Sequence, residues 1–141
     1  MPRPRKPVAD DWNSYIGRPY IKGARGPDAF NCWGLVVYVG RRHYGLPIPD
    51  HQVEHDDRAR ILELVALERE SDRWRALEAE ARLKAGDVVL FGRPDHQTHA
   101  GIYVGEGVLH AERRAGVCLT PLSELGRISP QRSWYRCSPK R

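Results

Sequence analysis

The run of short apolar segments in the second half of the chain limits the fold more than any other feature. Asp87-Val88-Val89-Leu90-Phe91 follows the turn pair Ala85-Gly86 and reads as a buried strand. Residues 98–104 and 108–111 read as two further strands, joined as a hairpin around Gly105-Glu106-Gly107. Residues 117–119 and 133–137 add two closing strands. Helical patterns come before them. Over residues 32–44, Leu35, Val36 and Val39 recur at helical spacing, and Arg41 and Arg42 sit in the final turns, where cations suit the helix dipole. Asn31 is placed to cap this helix and Gly45 to stop it, with Pro47 and Pro49 beyond. The β-branched and aromatic residues at 36–39 leave a strand as the alternative, which the two caps argue against. Residues 57–70 predict a second helix, with Ile61, Leu62, Val65 and Leu67 on its apolar side. Residues 10–16 predict a short one, with Trp12 and Ile16 on one side, broken by Gly17-Arg18-Pro19-Tyr20. Residues 71–83 have apolar anchors at Trp74, Leu77 and Leu83 but no clear period. Helices first and antiparallel strands second mean an α+β fold. One domain is expected over residues 1–141, with residues 1–9 as a flexible basic tail.

A chain of 141 residues, 40% hydrophobic and 29% charged, can bury a modest core of its own. No apolar run approaches the ~20 residues of a membrane helix, so no transmembrane segment is expected. Met1-Pro2-Arg3-Pro4-Arg5-Lys6-Pro7 is basic with no apolar stretch behind it, which does not read as a secretory signal. Synthesis in a cytoplasm is expected, with delivery elsewhere by another route. The net charge of +5 suggests nucleic acid first. The arginines, however, run from Arg3 to Arg141 interleaved with acids, which describes a solvated surface, and no nucleic-acid partner is expected.

Three cysteines leave at least one thiol free. Cys118 and Cys137 either pair or stand as buried thiols in their strands. His51 and His55, and His96 and His99, lack further ligands at metal spacing, so neither metal nor cofactor is expected.

Cys32 opens the predicted helix. Spare N–H groups and the positive end of the dipole favour a thiolate there, and the thiolate is the nucleophile. Gly34, two residues on, allows close approach to the helix start. His99 begins a strand and is followed by the small pair Ala100-Gly101, over which another element can pack closely. A base must come within roughly 2.6–3.2 Å of the thiol it activates. His110 is the candidate to orient that base. A turn centred on Glu106-Gly107 pairs Tyr103 with His110 and puts His99 on the same face, but about 13 Å away along the strand. Twist or a bulge has to close that gap. His43, at the end of the helix, reads as a surface cation site.

Cysteine first, histidine later and a polar orienter last is a thiol-hydrolase order, and the surrounding blocks resemble the NlpC-type cell-wall peptidases, a papain-like family. The blocks are Gly17-Arg18-Pro19-Tyr20, then Phe30-Asn31-Cys32-Trp33-Gly34-Leu35-Val36, then Gly86 to Phe91 leading into His99-Ala100-Gly101-Ile102-Tyr103-Val104-Gly105 and His110-Ala111. The resemblance implies an N-terminal helical layer on a C-terminal antiparallel sheet. It implies Cys32 as nucleophile, His99 as general base, His110 as third residue and Tyr20 beside the oxyanion site. It further implies a thioester route and peptide bonds of peptidoglycan stem peptides as substrate. The family usually has Asp before the cysteine and Ser after it, positions that help hold the free amino end of a stem peptide. Here Asn31 and Trp33 occupy these substrate-binding positions, keeping hydrogen bonding but removing charge and adding bulk. The run Cys32-Trp33-Gly34-Leu35-Val36 is similar to tail-tip peptidases of long-tailed phages and gene-transfer particles. That second resemblance implies other tail-tip proteins as partners and a place in the virion tail, acting at the cell wall. The alternative is a structural tail-tip or assembly protein with a vestigial or covered peptidase site.

Overall fold

The computed structural model of the protein describes residues 12–50, 70–93 and 99–138. The expected tail over 1–9, nearly all of the expected helix over 57–70, and His51, His55 and His96 lie outside the described residues. Within them the chain forms α1 (Cys32–Tyr44) and six strands: β1 (Trp74–Leu77), β2 (Val88–Phe91), β3 (His99–Tyr103), β4 (Val108–Glu112), β5 (Gly116–Thr120) and β6 (Arg132–Cys137). The strands make one sheet in the order β1-β6-β2-β3-β4-β5, with every neighbouring pair antiparallel. The fold is α+β, as the sequence predicts.

The helix forms where its caps place it. Asn31 has extended backbone angles, φ −100° and ψ −178°, and its side-chain oxygen accepts the Gly34 N–H at 2.7 Å. At the other end Gly45 adopts φ 64°, and its N–H bonds the Arg41 carbonyl at 3.2 Å. These bonds remove the strand alternative for residues 36–39.

α1 packs across β3 and β4. Leu35, Val36 and Val39 are fully buried in one core with Ala100, Ile102, Leu109, Ala111 and Val117. Strand alternation sends Val89, Phe91, Val108 and Trp134 to the other face, into a second cluster. Leu125, from the 3-10 segment Leu122–Arg127, closes that cluster. Both faces of β2 are therefore covered, which explains why Val88-Val89-Leu90-Phe91 is apolar throughout rather than alternating.

One expectation changes and two open readings are decided. In the described part of the expected helix over 10–16 there is only a 3-10 turn, Trp12–Ser14, with Trp12 buried and Ile16 44% exposed. Gly17, at φ 93°, diverts the chain and donates its N–H to the Val117 carbonyl at 2.9 Å, while Val117 donates back to the Arg18 carbonyl at 2.9 Å. The open backbone of edge strand β5 thus captures residues that would otherwise have continued a helix. Residues 71–83 become β1 and a 3-10 segment, Glu80–Arg82. Finally, Cys118 and Cys137 are not joined in a disulfide. They lie on β5 and β6, which β2, β3 and β4 separate. Four inter-strand steps of ~4.8 Å put them far outside the ~7 Å reach of a disulfide.

Candidate active site

Cys32 is the first residue of α1 and is 7% exposed. The loop before it folds back on itself. Phe30 donates its N–H to the Pro19 carbonyl at 3.0 Å, Ile21 donates to the Phe30 carbonyl at 3.1 Å, and Asn31 donates to the Ala24 carbonyl at 3.0 Å. These bonds lay the Gly17–Tyr20 block beside the segment that enters α1. Tyr20 is half-buried there, bridged to Phe30, with its hydroxyl oxygen buried. Asn31 is 1% exposed, and besides the Gly34 N–H its side-chain oxygen accepts Arg25 Nη1 at 2.8 Å. Arg25 is itself held by Asp50, Nε lying 2.9 Å from each carboxylate oxygen.

Burial pushes the Cys32 thiol above its ordinary pKa; the N–H groups of Ala100, Trp33 and Cys32 itself and the Arg25 charge act the other way. The N–H groups at the helix start act as the sequence reading expects, and burial opposes them. Of these opposing effects on the thiol, desolvation is the largest. The Ala100 contact also locates it: Cys32 meets β3 at the residue next to His99.

The two histidines approach each other through a register the sequence arithmetic missed. Tyr103 pairs with Val108, Ile102 with Leu109 and Gly101 with His110. The turn is centred on Gly105-Glu106, one residue earlier than expected; Gly105 takes φ 93°, and Val104 N–H bonds the Gly107 carbonyl at 2.9 Å. Moving the turn by one residue shifts the pairing by two. His110 now stands opposite Gly101, two residues from His99, or about 7 Å rather than 13 Å along the strand. No bulge is needed. His99 Nε2 and His110 Nδ1 are 3.1 Å apart, with the rings edge to face. Gly101 makes this possible, since a Cβ there would lie 2.6 Å from Val108 Cγ1 and 3.2 Å from His110 Cβ.

His110 is 1% exposed, and burial lowers its pKa to about 4, so the ring is neutral at pH 7. Its other nitrogen, Nε2, lies 2.9 Å from Thr120 Oγ1. Phe91 packs against both rings, with centroids 5.2 Å from His99 and 6.0 Å from His110. Trp33 is half-buried; its indole N–H bonds the Pro49 carbonyl at 2.8 Å and its ring lies 6.5 Å from that of Trp74. His43 is not a bare surface cation: its Nε2 lies 2.7 Å from Tyr15 Oη, and its ring packs on Trp12.

Arg25, Phe91 and Thr120 are site residues that sequence reasoning did not single out. Arg25 stands in a loop, and nothing local marks its bond to Asn31. Thr120 depends on strand register, which carries no local signal. Among the described residues no group of three His, Cys, Asp or Glu side chains could hold a metal ion. No helix of the described residues is long and apolar enough to cross a membrane.

A helix opened by a cysteine, packed on an antiparallel sheet that carries a bonded imidazole pair, defines an α+β domain with a cysteine–histidine site. The chain belongs to the NlpC/P60 family, whose model matches residues 17–131. It is 32% identical over 124 residues to a gamma-DL-glutamyl hydrolase of Bacillus subtilis, covering 84% of this chain and 26% of that protein. It is 34% identical over 118 residues to a probable endopeptidase of Corynebacterium glutamicum, covering 83% and 46%. The chain thus spans about a quarter to a half of these relatives. Among solved structures, the NlpC/p60 domain of the peptidoglycan hydrolase SagA superposes with a TM-score of 0.60 at 20% identity, covering 93% of this chain and 96% of that one. NlpC1 from Trichomonas vaginalis gives 0.61 at 23% identity, covering 92% and 42%. At these identities the structural likeness speaks for the fold.

Proposed function

We propose that the protein is a cysteine peptidase that hydrolyses peptide bonds in peptidoglycan stem peptides, with Cys32 as nucleophile, His99 as general base and His110 as the residue that orients it. The observation that carries this reading is the 3.1 Å bond between His99 and His110 beside the β3 residue that the Cys32 thiol contacts. Membership of the NlpC/P60 family and the hydrolase and endopeptidase relatives support the same class.

Burial raises the Cys32 pKa, so the thiol needs a base to give up its proton. His99 takes the Cys32 proton as Sγ bonds the scissile carbonyl carbon. The carbonyl oxygen becomes an oxyanion, facing the backbone N–H groups at the start of α1 with Tyr20 alongside. The C–N bond then breaks, and the His99 imidazolium gives its proton to the departing amine. Water, deprotonated by His99, attacks the thioester and restores the thiol. Trp33, half-buried in the first turn, is the substrate-side contact. Asn31 acts through its bonds to the Gly34 N–H and Arg25, which hold the start of α1 beside the substrate.

The wider part of the proposal is a phage tail-tip setting, with other tail proteins as partners and action at the cell wall; it rests on the Cys32-Trp33-Gly34-Leu35-Val36 run. The experiment is incubation of the purified protein and its Cys32→Ala variant with peptidoglycan and stem peptides of several wall chemistries. New amine ends are read by mass spectrometry. Cleavage by the protein and not by the variant is expected. No cleavage of any substrate would overturn the peptidase reading, and absence of the protein from purified phage particles would overturn the setting.

A further inference from the structure

The His99–His110 pair does not end at His110. Gly101, opposite His110 on β3, is two residues from His99, and Cys118, opposite His110 on β5, is two residues from Thr120. His99, His110 and Thr120 therefore lie on one diagonal across three adjacent strands, on one face of the sheet. The two links measure 3.1 Å and 2.9 Å.

The proton count along this line is constrained. For His99 to accept a proton at Nδ1, its own ring proton must sit on Nε2, where it faces His110 Nδ1. His110 Nδ1 must then be the acceptor. A neutral His110 carries its single proton on Nε2, and at 1% exposure that N–H needs a protein partner. Thr120 Oγ1 is 2.9 Å from it. In the opposite arrangement His110 protonates Nδ1, and His99 is turned to the tautomer whose Nδ1 cannot accept. Without an acceptor at Thr120, the useful tautomer strands a buried donor.

We propose that Thr120 is a positioning residue of this site: its hydroxyl accepts the His110 Nε2–H and so sets the His99 tautomer whose unprotonated Nδ1 can take the Cys32 proton. The proposal rests on the peptidase reading for its role in turnover, but the tautomer it assigns can be measured without turnover.

The test has two arms. Thr120→Val keeps the branched shape and removes the acceptor; Thr120→Ser keeps the acceptor. On a cleaved stem peptide, Thr120→Val is expected to lower kcat about 10- to 100-fold with KM within about twofold, as loss of an orienting partner does. Thr120→Ser is expected to stay within about threefold of the parent. In the second arm, nitrogen-15 NMR of histidine-labelled protein at pH 7 should show His110 protonated at Nε2 and His99 at Nε2. A Thr120→Val enzyme with kcat within twofold of the parent overturns the proposal, as does a parent His110 protonated at Nδ1. If the parent cleaves nothing, the peptidase reading fails on its own and the NMR arm still decides the tautomer. If Thr120→Val does not fold, Thr120→Ser and the parent spectrum decide: a serine variant impaired tenfold or more, or the wrong tautomer, refutes the role.

Discussion

Acid should destabilise this protein through His110 in a way that can be isolated. The ring is 1% exposed, and desolvation brings its pKa from 6.5 to about 4. Between those values the unfolded chain binds a proton that the native state does not. Stability is therefore complete above about pH 6.5 and falls as pH drops toward 4, below which both states are protonated. The fall from 6.5 to about 4, at ~1.36 kcal/mol per pH unit, gives about 3 kcal/mol, a sizeable share of a domain's typical ~5–15 kcal/mol. Glu112 works against this, since its carboxylate oxygen is 3.8 Å from His110 Nδ1 and favours the charged ring. That carboxylate is 41% exposed and solvent-screened, so burial dominates. The assay is urea unfolding of the protein and its His110→Gln variant from pH 7.5 to 4. Carboxylates elsewhere cancel in the difference between the two curves. The stability advantage of the parent over the variant should shrink by about 3 kcal/mol over that range. A difference that stays constant to within about 0.5 kcal/mol would refute the burial argument.

Two further outcomes follow from the packing. Gly101→Ala places a Cβ 2.6 Å from Val108 Cγ1, 3.0 Å from the Leu109 carbonyl oxygen and 3.2 Å from His110 Cβ. Overpacking of this kind costs about 1–3 kcal/mol by urea unfolding, and hydrolysis should fall further than stability because β3 and β4 move apart at the imidazole pair; parent-like stability and activity would show the contact to be unimportant. Asn31→Ala removes the acceptor for both the Gly34 N–H and Arg25 Nη1. A lost cap with a stranded guanidinium N–H should cost on the order of 2 kcal/mol in the same assay, whereas Asn31→Asp, which keeps both bonds, should be tolerated.

The sequence by itself determined what depends on neighbours in the chain. Asn31, the spacing of Leu35, Val36 and Val39, and Gly45 fix α1 because caps and helical periodicity act within a few residues. The continuous apolar run at 88–91 marks a strand covered on both faces for the same local reason. Cys32 and His99 were legible as chemistry because each sits at the start of an element.

Tertiary structure decided which groups meet. Gly105-Glu106 and Glu106-Gly107 are equally plausible turn centres in the sequence, yet they differ by two residues in register and by about 7 Å at His99. The folded hairpin takes the first. Strand order separates Cys118 from Cys137 and puts β6 between β1 and β2. The same pairing brings Thr120 to His110, and the folded loop brings Arg25 to Asn31. Each of these contacts joins groups across strands or across a loop, where the free energy comes from burying whole faces together and no short stretch of sequence contains it.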